Sequence, residues 1–333
     1  MGKIERTPIR TINRQRITPL IEASDLQAHD VVLPKSTTIG LLSTDGLFTG
    51  GLLADTQMLI TDLSNEGESD DKRSRVESTL TKLGEGHKEF VGRVLREFDG
   101  KYVTVSLSSS LLADLFPLED GLPDERPVLA KETNPIIGTA GVRLALICPE
   151  IAKMQIDSIA RAIVELKAQG YNPKPRIAVP LVSFSTEFSV IQNQIRDAIG
   201  SQDTKLDIPC GAIICTPRGA ITADELAQSA DFLIINTDLL TQITLGLSKV
   251  DTDVDIYDVV PQYMNIGIFA NNPFYTLDID GVGKFIETAI KEARKTNPEI
   301  EIDVMGSHRG NEAIRFYKRL GVNHLIAPTS YWN

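Results

Sequence analysis

The sequence predicts an α/β protein with the (β/α)8 TIM-barrel fold. Its 333 residues are 42% hydrophobic and 24% charged, an ordinary globular composition that suits one large barrel. Strand-like and helical segments alternate about seven or eight times, and such alternation implies a parallel sheet with right-handed crossovers. That number of units suits a closed barrel better than an open sheet. We therefore expect a single barrel domain at residues 17–333, preceded by a basic N-terminal arm at residues 1–16.

The first half of the chain carries less regular elements than the second. Short apolar stretches predict strands here, and apolar residues with helical spacing predict helices. Residues 64–75 form a run of charged residues, which is typical of a solvated loop. The predicted elements of this half are strands at 17–22 and 38–42, a short helix at 55–63, a helix at 76–98 and a strand at 102–107.

The second half alternates clearly between helices and strands. Gly170 and Gly200 follow two of the helical patterns, and glycine at such a position is typical of a helix end. Helices are predicted at 151–169, 188–199, 222–229, 281–295 and 311–320, and strands at 176–182, 211–215, 232–236, 300–304 and 324–327.

Charge and cysteine content exclude several classes of function. The formal net charge is −11, and an acidic chain is repelled by nucleic-acid backbones and anionic membranes, so we expect neither as a partner. No apolar run approaches the length of a membrane span, and the polar, basic N-terminus is unlike a secretory signal. Cys148, Cys210 and Cys215 are too few and too odd in number for a disulfide framework, which favours reduced thiols in a cytoplasmic protein.

Reactive groups of a barrel lie at the carboxyl ends of its strands, and this sequence places few charges there. Binding a phosphate together with a carboxylate requires several converging arginines, and a magnesium site requires well-placed carboxylates. The sequence alone does not bring such groups together. The carboxylates at predicted strand ends are Asp45, Glu187 and Asp238, and the cations are Arg143, Arg218, Lys249 and Arg309.

Two other side chains at strand ends have alternative interpretations. His308 could act as a general acid or base, but we favour a loop histidine bonded to the backbone. Cys215 could be a nucleophile if a base adjoined it. No histidine lies near it in the sequence, so we favour an inert buried thiol.

Six segments, in a shared order and spacing, carry a resemblance to a known family. They are IGLLSTDGLF at 39–48, SLSSSLLAD at 106–114, NPIIGTAGVR at 134–143, IICTPRG at 213–219, NTDLLTQ at 236–242 and MGSHRGNE at 305–312. In these segments the chain resembles the C-terminal phosphoenolpyruvate-binding barrel of enzyme I of the sugar phosphotransferase system, pyruvate phosphate dikinase and phosphoenolpyruvate synthase. The resemblance implies a barrel of the phosphoenolpyruvate/pyruvate-binding type.

The resemblance also implies that the family's chemical groups have been replaced in this chain. Three of the family's arginines, its magnesium-binding carboxylates and its proton-donating cysteine are absent at the matching positions, whereas Arg143 and Arg218 match arginines of the family. The replacements are Ser43, Ser106 and Ala140 for arginines, Cys215 for the magnesium-binding glutamate, Leu239 for the metal-binding aspartate, Asp238 for the neighbouring asparagine and Met305 for the cysteine. We interpret these positions as a degenerate pocket with no catalytic residue, no metal site and no cofactor.

Three functions follow from this interpretation. The leading hypothesis is a catalytically inactive barrel that acts as a scaffold, assembly or regulatory subunit, as a homo-oligomer or in a protein complex. The second is a module that binds phosphoenolpyruvate or another small carboxylate through Arg143, Arg218 and His308. The third is a phosphotransferase-related enzyme repurposed for other chemistry, with Cys215, Asp238 and His308 as its reactive groups.

Overall fold

The computed structural model describes residues 16–21, 38–65, 67, 69–110, 112–116, 126–127, 130–132, 138–200, 206 and 208–328. Eight parallel strands pair in chain order, and β8 pairs with β1 to close the barrel. The predicted (β/α)8 fold is therefore confirmed. The strands are β1 Arg16–Ile21, β2 Ile39–Leu42, β3 Tyr102–Ser106, β4 Lys174–Val182, β5 Cys210–Ile214, β6 Phe232–Asn236, β7 Glu301–Met305 and β8 His324–Pro328.

Helices follow the strands and surround the barrel. The longest among the described residues has 28 residues and packs against the 20-residue helix that precedes β4. The helices are α1 Asp45–Phe48, α2 Leu53–Ser64, α3 Asp70–Glu97, α4 Leu112–Leu115, α5 Val142–Ile147, α6 Pro149–Ala168, α7 Ser185–Gly200, α8 Pro217–Ile221, α9 Ala223–Leu226, α10 Thr237–Leu245, α11 Lys249–Thr252, α12 Val259–Asn265, α13 Val282–Thr296 and α14 Asn311–Arg319.

The strands separate two apolar layers. In β6, Leu233 and Ile235 belong to the main core between the strands and the helices. Phe232 and Ile234 alternate with them and belong to a second cluster inside the barrel. Because successive side chains of a strand point to opposite faces, this alternation places every second residue of β6 in the barrel interior.

The charge run is only partly a loop. Helix α3 begins at Asp70, so the prediction of a loop over residues 64–75 is wrong for its second half. The hydroxyl of Ser69 accepts a hydrogen bond from the backbone N–H of Lys72, and Asp70 and Asp71 lie in the first turn. A capping serine and early acidic residues both stabilise a helix start, and the apolar pattern that begins at Val76 does not report them.

The helix predicted at 222–229 also begins earlier and is divided. Helix α8 begins at Pro217, where the hydroxyl of Thr216 accepts a hydrogen bond from the backbone N–H of Gly219. Thr222, the first residue of the predicted helix, donates its hydroxyl to the carbonyl of Arg218. The threonine that caps is therefore the one that directly precedes the proline, and proline favours the first helical position.

Strand β1 begins at Arg16, one residue before the predicted start of the barrel. The rest of the predicted basic arm, residues 1–15, lies outside the described residues.

Within the described ranges, none of the helices combines the length and the apolar character that crossing a membrane requires.

Candidate functional site

The barrel interior contains an apolar cluster that reaches the carboxyl ends of the strands. Two of the predicted degenerate positions, Ala140 and Cys215, are buried in this cluster, and two others, Leu239 and Met305, are partly buried and pack against it. Ala140 and Cys215 are 4% and 3% exposed. The other members are Leu20, Leu41, Ala178, Leu181, Ile213, Phe232, Ile234 and Ile326. The interior at these positions is therefore packed with apolar side chains.

Backbone contact holds Ala140 in this cluster. The next residue, Gly141, has a φ of 54°, and a Cβ there would lie 2.7 Å from the carbonyl oxygen of Pro180 and 3.0 Å from the Cβ of Leu181. The loop that carries Ala140 consequently lies directly against β4, and only glycine fits at its closest point. Leu181 itself has a φ of 63°, which is unusual for a side chain of its size.

Cys215 is a protonated thiol in this environment. Burial raises its pKa to about 12, although a backbone hydrogen bond from Leu181 and the nearby charge of Arg143 act in the opposite direction. The thiolate is the nucleophile and the metal ligand, so a neutral thiol serves neither purpose. This environment supports the interpretation of an inert thiol.

Asp45, at the start of α1, is surrounded by serines of the loop that follows β3. Its carboxylate accepts five hydrogen bonds from Ser108, Ser109 and Ser110, three from hydroxyls and two from backbone N–H groups, at 2.5–3.1 Å. The hydroxyl of Ser43 donates to the same carboxylate at 3.3 Å. Asp45 thus connects the loops after β2 and β3, and its oxygens are occupied by protein donors.

A buried chain of polar groups lies behind this loop. The backbone N–H of Ser108 donates to the side chain of Gln155, and the hydroxyl of Ser158 donates to the backbone carbonyl of Gln155. Because Ser158 has given its proton, His87 must donate from Nδ1 to the Ser158 oxygen. His87 is fully buried, and burial lowers its pKa to about 3. It is therefore neutral at ordinary pH.

The two other strand-end carboxylates are also engaged locally. Asp238 accepts hydrogen bonds from the backbone N–H and the hydroxyl of Ser307, at 2.7 and 3.0 Å, and so connects the loops after β6 and β7. Glu187 accepts from the backbone N–H groups of Ser183 and Phe184 at the start of α7. Each carboxylate therefore holds a turn of the rim.

The predicted ligand-binding residues also have intramolecular roles. His308 is 1% exposed; its Nε2 donates to the carbonyl of Pro273 at 2.8 Å, and its Nδ1 lies 2.9 Å from the Thr237 hydroxyl. Arg143 donates to the carbonyl of Gly138 at 3.0 Å. The backbone-bonded interpretation of His308 agrees with this geometry. A ligand-binding role for Arg143, Arg218 and His308 stays a prediction.

Arg218 lies at the rim beside β4. Its guanidinium stacks on the ring of Phe184 at 3.7 Å and donates to the carbonyl of Ser183. Ser106, in contrast, is 3% exposed and donates its hydroxyl to the carbonyl of Leu107. The serine positions of the predicted pocket therefore do not join the apolar cluster.

The amino-terminal end of the barrel contains a buried ionic cluster that sequence reasoning missed. Arg176 lies 2.5 Å from Glu301 and donates to Thr104, and Asp303 accepts from His324 at 2.9 Å. Three of these residues, Glu301, Asp303 and His324, have the donor atoms and spacing to hold a metal ion, but the guanidinium of Arg176 already provides a cation there. The signal was present as charged residues at alternate positions of β7 and in β4.

Burial and pairing shift the titration of this cluster. Desolvation raises the pKa of Asp303, which is 1% exposed. Burial alone would lower the pKa of His324, but its hydrogen bond and charge interaction with Asp303 outweigh burial and raise it. Both pKa values of this pair are thus raised, that of Asp303 by burial and that of His324 by its carboxylate partner.

Comparison with known proteins identifies similar chains. The family model described as "PEP-utilising enzyme, PEP-binding domain" matches residues 10–330. Pyruvate, phosphate dikinase of Giardia intestinalis is 29% identical over 320 residues, which cover 89% of this chain and 35% of that protein. The chloroplastic pyruvate, phosphate dikinase of Mesembryanthemum crystallinum is 31% identical over 253 residues, covering 70% of this chain and 26% of that protein. The chain thus spans about a third or less of these relatives' length.

Solved structures are similar only at a low level. The putative copper homeostasis protein CutC of Streptococcus agalactiae aligns with a TM-score of 0.40 and 14% identity, over 94% of this chain and 98% of that one. A HpcH/HpaI aldolase/citrate lyase family protein of Burkholderia cenocepacia aligns with a TM-score of 0.36 and 9% identity, over 74% and 85%. These values support no argument about function.

Proposed function

The chain belongs to the family of PEP-utilising enzymes, over their PEP-binding domain, and from this premise we propose that it is a catalytically inactive member that acts as a scaffold, assembly or regulatory subunit. One observation carries the proposal. Of the residues that match the family's chemical positions, Ala140 and Cys215 are buried in an apolar cluster inside the barrel, and Leu239 and Met305 are partly buried and pack against that cluster.

The side chains at these positions lack the required chemistry. Magnesium binds hard oxygen ligands, and neither a protonated thiol at Cys215 nor the hydrocarbon of Leu239 provides one. Alanine at position 140 cannot neutralise a phosphate, and the thioether of Met305 has no proton to donate to an enolate carbon. Phosphoryl transfer relies on positioned charge, so the losses at 140, 215 and 239 act on that step, and the loss at 305 acts on protonation of the enolate.

The charges that remain at the rim do not compensate for these losses. Asp45 is enclosed by serine donors, Asp238 is bonded to Ser307, and Glu187 holds the first turn of α7. Recruiting any of them as a metal ligand would break hydrogen bonds that connect neighbouring loops. The retained apolar pattern and the engaged rim charges together support a barrel kept for its surface rather than for turnover.

The decisive experiment measures enolate formation. Incubation of the full chain with pyruvate and Mg²⁺ in deuterated water, followed by NMR of the methyl protons, reports proton exchange without needing any other domain. We expect exchange at the rate of the heat-denatured protein. The control is a pyruvate, phosphate dikinase measured in parallel. Magnesium-dependent exchange that an Arg143→Ala variant abolishes would contradict the proposal.

A further inference from the structure

Residues 249–276, here termed the acidic apolar lobe, expose an unusual amount of apolar surface. Val254, Ile256 and Tyr257 are 77%, 70% and 82% exposed. Single exposed apolar residues are ordinary, but a concentration of them within one segment indicates an interaction surface. The other large apolar side chains exposed in the lobe are Val250, Val259, Tyr263, Met264, Ile266, Ile268 and Tyr275.

The lobe is an ordered part of the fold. Val260 and Phe274 are buried, and the carbonyl of Pro273 accepts the hydrogen bond from His308 that fixes the lobe to the carboxyl end of the barrel. Inside the lobe, Asn272 donates to Asp253, and Asp258 accepts from the backbone of Val254 and Asp255. The exposed apolar side chains therefore stand on a defined backbone.

Charge indicates which occupant fits this surface. The lobe contains Asp251, Asp253, Asp255 and Asp258 but only one basic residue, Lys249, which lies over the ring of Tyr275. Two such lobes facing each other would bring like charges together, which opposes self-pairing. The complementary occupant is a segment whose sequence alternates apolar and basic residues.

This chain carries such a segment. Residues 1–16 contain five basic residues and one acidic residue, with three isoleucines between them; in order these are Lys3, Ile4, Glu5, Arg6, Ile9, Arg10, Ile12, Arg14 and Arg16. The segment stands out in a chain whose net charge is −11. We propose that the acidic apolar lobe binds residues 1–15 of a second copy of this chain.

The positions of the two segments favour contact between copies. Residues 1–15 lead into Arg16 at the amino-terminal end of β1, whereas the lobe lies at the carboxyl end, beyond β6. Fifteen residues span at most about 50 Å. To reach the lobe of the same chain, residues 1–15 would have to pass along the outer helices from the amino-terminal to the carboxyl end of the barrel, which would use most of that length. We therefore assign the contact to the lobe of a second copy, and reciprocal exchange of the two segments would close a dimer.

Sedimentation of the full chain and its charge variants tests the inference. We expect a concentration-dependent dimer that weakens on the order of tenfold or more when Arg6, Arg10 and Arg14 are replaced by Glu. The double substitution Ile256→Ser and Tyr257→Ser weakens it similarly. As a matched control, Lys167, Lys284 and Lys291→Glu makes the same charge change on exposed helix surfaces and leaves the dimer intact.

Rescue separates this contact from other modes of association. Asp251→Lys combined with Asp255→Lys should restore the dimer of the charge-reversed arm. A monomeric full chain, or a dimer lost only by the lobe substitutions and not by the arm substitutions, would overturn the inference.

The inference rests on the assembly role proposed above and names its partner. It is independent of turnover, so deuterium exchange into pyruvate would remove the inactive-member proposal and leave this contact standing.

Discussion

The two ends of the barrel interior have opposite chemistry. The carboxyl end, where barrel enzymes hold their reactive groups, contains Cys215, Leu239 and Met305 in an apolar cluster. The amino-terminal end, where stability usually dominates, contains the ionic pairs of Arg176 with Glu301 and of His324 with Asp303. Among the described residues, charged side chains thus join strands at the amino-terminal end, whereas at the carboxyl end the charges of Asp45, Asp238 and Arg218 lie at the rim, bonded to loops.

The contrast teaches that buried charge alone does not mark an active site. The ionic cluster is paired within the chain, because Arg176 reaches β3 through Thr104 and β7 through Glu301, although one carboxylate oxygen of Asp303 has no hydrogen-bond partner. The carboxylates of the opposite rim are likewise satisfied by serines and backbone N–H groups. The following predictions test whether the carboxyl end is a closed core and whether the amino-terminal end is a structural ion cluster.

The largest expected effect is a loss of folding stability at acidic pH. It arises from His87, which is buried behind the loop that follows β3. His87 has a folded pKa of about 3, below the value of about 6.5 in an unfolded chain. Above about pH 6.5 the imidazole is neutral in both states and has no effect on the free energy of unfolding. As pH falls from about 6.5 to about 3, the imidazole is protonated only in the unfolded chain, so the free energy of unfolding decreases. Urea unfolding should lose on the order of 5 kcal/mol from this residue between about pH 6.5 and 3. In a His87→Gln variant the slope over this window should flatten; an unchanged slope would contradict the assignment.

Next in size is the removal of the cation from the opposite end. Arg176→Met leaves Glu301 and Asp303 without their guanidinium partner, and we expect the free energy of unfolding to fall by about 3–5 kcal/mol. Arg218→Met, the same substitution at the carboxyl rim, should cost about 1 kcal/mol, because it removes a stacking contact and hydrogen bonds to the Ser183 carbonyl and the Thr222 hydroxyl but breaks no ion pair shown there. Equal losses in urea unfolding would remove the contrast between the two ends.

A smaller effect tests whether the carboxyl end is closed to water. Cys215→Glu returns the residue type that the family resemblance implies, but places it among apolar side chains. We expect a loss of about 3 kcal/mol in the free energy of unfolding, measured beside Cys215→Ala. If the two variants differ by less than about 1 kcal/mol, the glutamate is solvated and the carboxyl end is an open pocket.

The smallest effect concerns ligands. Thermal unfolding in the presence of phosphoenolpyruvate, oxalate or inorganic phosphate, with Mg²⁺, should show no stabilisation at millimolar concentrations. A ligand that binds only the folded state raises the melting temperature, by an amount that grows with the logarithm of its concentration divided by its Kd. A rise that Arg143→Ala or Arg218→Ala abolishes would favour the small-carboxylate binding module over the inactive scaffold.

Local sequence patterns predicted most helices and strands well. Features that depend on single capping groups or on tertiary contacts could not be predicted from such patterns. The alternating residues of β6 and the stripe that begins with Ile151 and Met154 in α6 are local signals, so these elements were predicted within about two residues. The start of α3 at Asp70 depends on one capping hydroxyl, which an apolar pattern does not report.

The site shows the same division. The resemblance identified Ala140, Cys215, Leu239 and Met305 one at a time, but their packing in one cluster depends on closure of the barrel. The enclosure of Asp45 by Ser109 depends on contact between loops 64 residues apart. No local pattern reports such contacts, and the apolar stretch at 249–276 gave no sign that its side chains are exposed.

Barrel closure sets a condition on how this chain folds. The seam that joins β1 to β8 pairs Arg16 with His324, almost the whole length of the chain apart. During synthesis, the first strand therefore has an unpaired edge until the last strand leaves the ribosome. Long-range pairing of this kind folds slowly and exposes strand edges to other chains. Premature termination before residue 324 would consequently yield an open sheet that is prone to aggregate.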